Sequence, residues 1–437
     1  MVTKPGLLRR NQDFRRFWLG HTMSVAGTHV TAVALPLLAT LTLDAGASGV
    51  AAIATASYLP NLVLPLLVGH WLERRRRRRV MVLADLVRAA VLLAVPAAYL
   101  GDVLSVPLLV AVAFAVGAAS VVFEIGSFAY VPSLVDEDDL AAANRATQGS
   151  TTAAQVAGPG LAGGLAQLVG PAVAVLIDAL SYLGSALGVA GARRPEPAPP
   201  AEEVRTGILA GLRTVAVNPF LRALTAHATI YNGASQIVTV NLVVYAVTDR
   251  GLGAGLFGLA LSAAGLGAFV GTMVALRLAD RLGYGRAFAA ALVLSTGAPP
   301  LIAVLPGRGG ALAASLALVQ VVSGIGLGCA NVLSVTLRQV VAPRGSLART
   351  NGGYRLLIYG VLPLGSALGG VVGQAAGART GVAVGTLGLV ASALPMFARR
   401  VRTLTDPQQA RVATSAAEAD ATPPGDVEEA RPAPSVR

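Results

Sequence analysis

Six consecutive arginines, Arg74–Arg79, stand between two long apolar stretches, residues 48–70 and 80–100. No other feature restricts the fold as strongly. A single Arg at the centre of a bilayer costs about 2.5–3.5 kcal/mol on insertion scales, so six adjacent ones stay out of hydrocarbon. Each flanking stretch has about the length that spans a bilayer. The arginines therefore lie in water between two helices that lie in lipid, and the positive-inside bias makes that water the cytoplasm.

Composition excludes the soluble alternatives. Hydrophobic residues make up 54% of the 437, charged residues only 13%, and the mean hydropathy is +0.66. An ordinary soluble domain has about a quarter of its residues charged. The net charge of +12 comes from basic residues that are all Arg apart from Lys4 and that sit between apolar runs. They read as topology signals, not as a face for nucleic acid. One cysteine, Cys329, rules out an intramolecular disulfide, and the four histidines lack metal-ligand spacing, so neither a metal nor a cofactor is expected.

A window of about 20 apolar residues predicts an all-α membrane protein with twelve spans. They are 17–43, 48–70, 80–100, 104–131, 140–168, 170–191, 220–247, 252–278, 286–305, 310–337, 347–375 and 380–398. Twelve crossings put nearly every Arg, and both termini, on the cytoplasmic side, leaving Arg250, Arg308 and Arg379 outside. The Pro-rich, charged segment 192–219 reads as a cytoplasmic linker whose end, 204–217, forms a surface helix. It separates an N-terminal six-helix bundle, residues 1–191, from a C-terminal one, residues 220–398. The tail 399–437 is rich in Ala, Pro and acids and is expected to be disordered. An internal repeat joins the halves at an offset of 207 positions: Asn11 with Arg15 matches Asn218 with Arg222, Glu73-Arg74 matches Asp280-Arg281, and Leu140 with Asn144 matches Leu347 with Asn351. A duplicated bundle places the substrate path where its copies meet, an architecture of transporters.

Few residues in the spans can carry chemistry. Glu124 lies deep in the fourth, where an acid is costly unless protonated, paired or facing a wet cavity; function is the default reading and a hydrogen-bonded neutral acid the alternative. Asp178 is the next candidate for a proton-coupling group in the substrate cavity, or else staples helices through Ser181. Asp85 and Arg88 are three apart on one helix face and are expected to pair near the cytoplasmic end. The cluster Asp136–Asp139 lies on the same side as the arginine run and could bridge to it. Gly253, Gly255 and Gly258 fit a dinucleotide pattern, but no strand precedes them.

The loop between spans two and three carries a further pattern: Gly69, an acid at Glu73, then Arg74, Arg77 and Arg78. It resembles the loop signature of the major facilitator superfamily, with Glu73 in place of the usual Asp and Arg76 in place of Gly. Gly158, Pro159 and Gly163 resemble the superfamily's antiporter signature, with Ala162 replacing one of its paired glycines. Residues 11–20, 123–181 and 337–365 are similar to its bacterial branch of enterobactin exporters and macrolide-efflux proteins. The resemblance implies twelve helices in two pseudo-symmetric bundles that open alternately to either side and export a small molecule in exchange for protons. It implies a gating motif at Gly69, Glu73, Arg74, Arg77, Arg78, Asp280 and Arg281, a bacterial inner-membrane location, a monomer, and a small-molecule substrate as partner. Many such exporters carry an acid in the first helix. This one offers His21, Thr28 and His29 there, which shifts the proton role to Glu124. The rival expectations are an importer or lipid mover of the same fold and, from another class, a polytopic membrane enzyme.

Overall fold

The computed structural model describes residues 7–73, 75–194, 208–341 and 347–410, and its regular structure is helical throughout. In lipid a chain must satisfy its backbone polar groups within itself, which helices do. The N-terminal half contains α1 (Leu7–Arg10), α2 (Gln12–Thr42), α3 (Ala47–Tyr58), α4 (Pro60–Glu73), α5 (Arg77–Leu100), α6 (Val106–Leu134), α7 (Glu137–Val169) and α8 (Pro171–Gly191). The helix α9 (Ile208–Val217) follows. The C-terminal half contains α10 (Pro219–Val243), α11 (Ala254–Leu282), α12 (Tyr284–Gly297), α13 (Gly309–Val341), α14 (Leu347–Gly360), α15 (Leu362–Ala376), α16 (Ala378–Ser392) and the short α17 (Arg399–Arg402).

Eleven of the described segments are long and apolar enough to cross a membrane. The expected fifth span, α7, falls outside that count although it has 33 residues. Its first half is charged, and its second half is rich in glycine and carries Gln155, Pro159 and Gln167, so no stretch of it is as apolar as the other spans. Two expected spans are each made of two helical pieces that together form one membrane-length segment. The second is split between Tyr58 and Pro60 and the eleventh between Gly360 and Leu362, just ahead of Pro363; proline removes a donor and its ring disfavours helix in the preceding residue. The first helix starts at Gln12, earlier than its apolar stretch.

The repeat has a physical basis in helix caps. Asn11 accepts from the Phe14 amide at 2.9 Å and opens α2. Asn218 accepts from the Phe220 and Leu221 amides at 3.0 and 3.1 Å and opens α10. An Asn there satisfies donors that a helix start leaves without partners, so both copies retain it.

The halves meet along two seams. Across one, Ser48 of α3 donates to Gln374 of α15 at 3.0 Å, and a side chain at Gly370 would collide with Ala51. Across the other, the second half of α7 lies against the first half of α11. The Gly160 amide donates to Ser262 at 2.8 Å and the Gly255 amide to Gln167 at 2.9 Å. Both seams lie towards the end remote from Arg75–Arg79, so the halves are closed there.

One expectation about the segments outside the bundles is corrected. The tail is not free from residue 399 onward. Tyr284 and Gly285 donate backbone hydrogen bonds to Thr405 and Leu404 at 3.2 and 2.7 Å, and Val401, Leu404 and Ala410 bury apolar surface against α12 and α13. Residues 411–437 lie outside the described part. In the linker, the described part of the expected surface helix is helical, as α9, and packs against α14; its expected start at 204 lies outside the described residues, as does the rest of 195–207.

Candidate functional site

Between the halves lies a cavity of about 250 Å³. Its wall is mostly apolar: Leu35 from α2, Val50 and Ile53 from α3, Val116 from α6 and Val240 from α10. Polar groups interrupt it at Thr28, Thr31, Ser57, Asn61, Ser120 and Gln236. Its one exposed carboxylate among the lining residues is Glu124. The apolar run around Glu124 forms α6, and the side chain emerges on the helix face turned to the cavity. Two cations act on it electrostatically: Arg355, from α14 in the opposite half, and Arg88, from α5 in its own.

Behind the wall is a buried polar cluster. Arg88 pairs with Asp85 one turn earlier on α5, and the two are 3% and 0% exposed. The guanidinium carbon lies 4.3 Å from the Phe123 ring centre and 4.2 Å from that of Tyr182, a stacking geometry that attracts a cation. The expected pair is thus present. It sits inside the N-terminal half beside the cavity wall, deeper than the helix-end position expected. Asp178, on α8, lines the cavity yet is fully buried. It accepts from Ser181 at 3.0 Å, the intrahelical staple foreseen as its alternative role. Tyr182 and Thr28 share a hydrogen bond of 3.0 Å that ties α8 to α2, and His21 stacks between Phe17 and Phe123.

The loop motif is only partly visible. Gly69 and Glu73 fall within α4, Arg74 lies outside the described residues, and Arg77 and Arg78 open α5. Arg78 donates to the Ala190 carbonyl of α8 at 2.7 Å. Asp280 and Arg281 lie exposed in the last turn of α11. Two acids of the cluster, Asp136 and Asp139, pair with arginines outside the Arg74–Arg79 run. Asp139 pairs with Arg10, and Asp136 with Arg194 at 2.7 Å. The hydrogen bond from Arg194, with its charge behind it, holds the Asp136 carboxyl below its ordinary range. These contacts tie α1, α7 and the end of α8 together within one half.

The Gly158–Gly163 stretch is a close-approach surface. A side chain at Gly158 would come within 2.5 Å of His29 on α2; one at Gly163 would come within 2.3 Å of the Ala254 carbonyl and 2.9 Å of Gly258 on α11. Of the glycines that mimic a dinucleotide pattern, Gly258 is therefore a packing partner of this motif across the halves, while Gly253 and Gly255 face Gln167.

Sequence reasoning missed Arg355 and the rings around Arg88, because Phe123, Tyr182 and Arg355 come from helices far apart in the chain. It also missed an asymmetry. At the repeat offset of 207, Asp85, Arg88, Glu124 and Asp178 correspond to Leu292, Ser295, Asn331 and Gly385. The charges are confined to the N-terminal copy.

The family described as transmembrane secretion effector matches residues 8–422. The chain belongs to that family, within the major facilitator superfamily. It is a transporter family, and the enzyme reading falls away. The multidrug efflux pump Tap of Mycolicibacterium fortuitum is 28% identical over 396 residues, covering 87% of this chain and 94% of Tap. Among solved structures, a point mutant of the nucleoside transporter NupG superposes with a TM-score of 0.72 at 14% identity, over 88% of this chain and 99% of NupG. A bacterial homologue of the iron transporter ferroportin in its inward-facing state gives 0.68 at 17% identity, over 90% and 98% of the two chains. A bacterial ferroportin homologue in its outward-facing state gives 0.56 at 16% identity, over 88% and 98%.

Proposed function

We propose that the protein is a proton-driven exporter that carries a small hydrophobic or amphipathic compound, of the antibiotic, drug or siderophore kind, out of a bacterial cell by alternating access. It works as a monomer in the inner membrane with both termini in the cytoplasm, and the proton gradient replaces any cofactor. The observation that carries this reading is Glu124, an exposed carboxylate on the wall of a largely apolar cavity between two halves that are closed at the end remote from the arginine run. An acid in that position exchanges a proton with the cavity water, and an apolar wall with scattered hydroxyls and amides suits a weakly polar ligand. Similarity to Tap over most of both chains supports efflux as the direction.

In this reading the arginine-run end is cytoplasmic and the described conformation faces inward. Substrate enters from the cytoplasm or inner leaflet as Glu124 releases its proton. The halves then close behind the substrate and open outward, where a new proton on Glu124 favours the return. Arg355 lies across the mouth from Glu124 and is drawn to it only while Glu124 is charged. Asp178 is a second protonatable group of the cavity wall. Gly69, Glu73 and Arg74, with Arg77, Arg78 and the repeat-related Asp280 and Arg281, hold the cytoplasmic end shut in the outward-facing state. The eleven apolar spans with α7 as the twelfth crossing return the chain to the side where it began.

The test is accumulation of a panel of lipophilic antibiotics and dyes in cells stripped of their own pumps, with and without an uncoupler. Expression lowers accumulation of at least one compound, the uncoupler abolishes the difference, and Glu124→Gln reduces gradient-driven export by at least about tenfold, a conservative floor under the roughly 10²–10⁴ typical of a lost proton-transfer group. Undiminished export against a gradient in Glu124→Gln rules out the proton assignment.

A further inference from the structure

One buried cation faces three carboxylates in the N-terminal half. Arg88 pairs with Asp85 and also acts electrostatically on Glu124 and Asp178. Were all three acids ionised, one guanidinium would leave two negative charges uncompensated inside a bundle that lies in lipid, an arrangement that membranes disfavour strongly. Asp85 holds the cation directly, and Glu124 opens on the cavity. Asp178 has neither relief. It is 0% exposed, its Oδ1 accepts from Ser181, and its Oδ2 has no hydrogen-bond partner. Thr31 Oγ1, on the facing helix α2, is likewise buried, and its hydroxyl is directed at the Asp178 carboxyl. An ionised carboxylate can only accept, whereas a protonated one also donates, and a hydroxyl can take the other part.

We propose that Arg88 is the shared counter-cation of a two-carboxylate proton site, in which Asp178 keeps a resident proton while Glu124 exchanges one with the cavity. This rests on the reading of Glu124 as the exchanging acid. The rings that hold Arg88 link it to both acids: Phe123 is the neighbour of Glu124 on α6, and Tyr182 lies one turn beyond Asp178 on α8. A change of charge at Glu124 therefore alters the hold on Arg88 and, through it, the proton affinity of Asp178, a coupled titration. The other titratable or charged groups facing the cluster are His21, stacked on Phe123, the Tyr182 hydroxyl bonded to Thr28, and Arg355 acting on Glu124. Only protons move: the O–H bond broken at Glu124 is remade on water in the cavity.

The experiment is an infrared pH titration of the purified full chain, following the carbonyl stretch of protonated carboxyl groups. Wild type keeps such a band near neutral pH; Asp178→Asn removes it and Glu124→Gln leaves it in place. Arg88→Gln raises the pH at which the remaining carboxyls lose their protons by about one unit, a tenfold change in proton activity, and Arg88→Lys restores most of that shift. Where Arg88→Gln does not fold, Phe123→Leu removes one ring, keeps the ion pair, and moves the titration in the same direction by less. A wild type without the band, an Asp178→Asn protein that retains it, or a titration unmoved by these Arg88 and Phe123 changes overturns the inference. Export lost in Glu124→Gln alongside an unmoved Arg88→Gln titration overturns the inference alone. Export intact in Glu124→Gln overturns the reading beneath it.

Discussion

Gly27 on α2 leaves the space that Asp178 and Ser181 occupy: a side chain there would reach within 2.2 Å of the Asp178 carboxylate and 2.3 Å of the Ser181 hydroxyl. Overpacking a tight interior costs about 1–3 kcal/mol, and here the atoms displaced are polar and buried. Gly27→Ala is therefore expected to lower the melting temperature of the purified protein and to abolish export together, whereas Ser181→Ala lowers only the first. At the surface the sign of the pH dependence follows from Asp136. Its carboxyl is held below the ordinary range by Arg194, so its stabilisation is complete above the unfolded pKa of about 3.9 and disappears as pH falls through the lower folded value. Asp136→Asn combined with Asp139→Asn is expected to melt earlier than wild type near neutral pH, with the gap closing in acid. Glu124 was legible in the sequence because an acid in an apolar run stands out. The cage around Arg88 was not, because it is assembled from α5, α6 and α8, and no local spacing records that they converge.

Among the helices, α7 shows how function disturbs hydropathy. Its first half is polar because it ends in the charged network of Arg10, Asp136 and Asp139; its second half is small and apolar because it must lie against α11. The glycines on both sides of that seam allow backbones to approach closely, as small residues do between membrane helices. A side chain at Gly258 would meet the Pro159 carbonyl at 2.2 Å. Gly258→Val is expected to disfavour the arrangement with this seam closed by at least about tenfold, corresponding to about 1.4 kcal/mol. Spin labels at the arginine-run ends of α5 and α12 should then report shorter distances than in wild type. The α3–α4 and α14–α15 divisions fall just ahead of Pro60 and Pro363, whereas Pro36, Pro96, Pro132 and Pro159 lie inside unbroken helices, so proline alone does not mark where a span divides. The docking of residues 399–410 was hidden, because Val401, Leu404 and Ala410 are too widely spaced to read as an apolar face before α12 is beside them.

For the whole molecule, the arginine run, the apolar periodicity and the offset of 207 residues carried the architecture, since each follows from how a bilayer treats charge and backbone. The conformation was not readable from sequence; it is set by where the seams lie, with α3 on α15 and α7 on α11 both closed away from the arginine run. Under the proposed proton coupling, the confinement of Asp85, Arg88, Glu124 and Asp178 to one copy makes the N-terminal half the proton-handling half and leaves the C-terminal half to move against it. That central claim, two halves rocking about a shared cavity, is tested most directly by joining them at the closed end. In a Cys329→Ala background, Ser48→Cys and Gln374→Cys replace a hydrogen-bonded pair that spans the halves at 3.0 Å. Bridged by a short, reducible bifunctional thiol reagent, the pair is expected to stop export and to release it on cleavage; export at the full rate with the bridge intact would contradict the account.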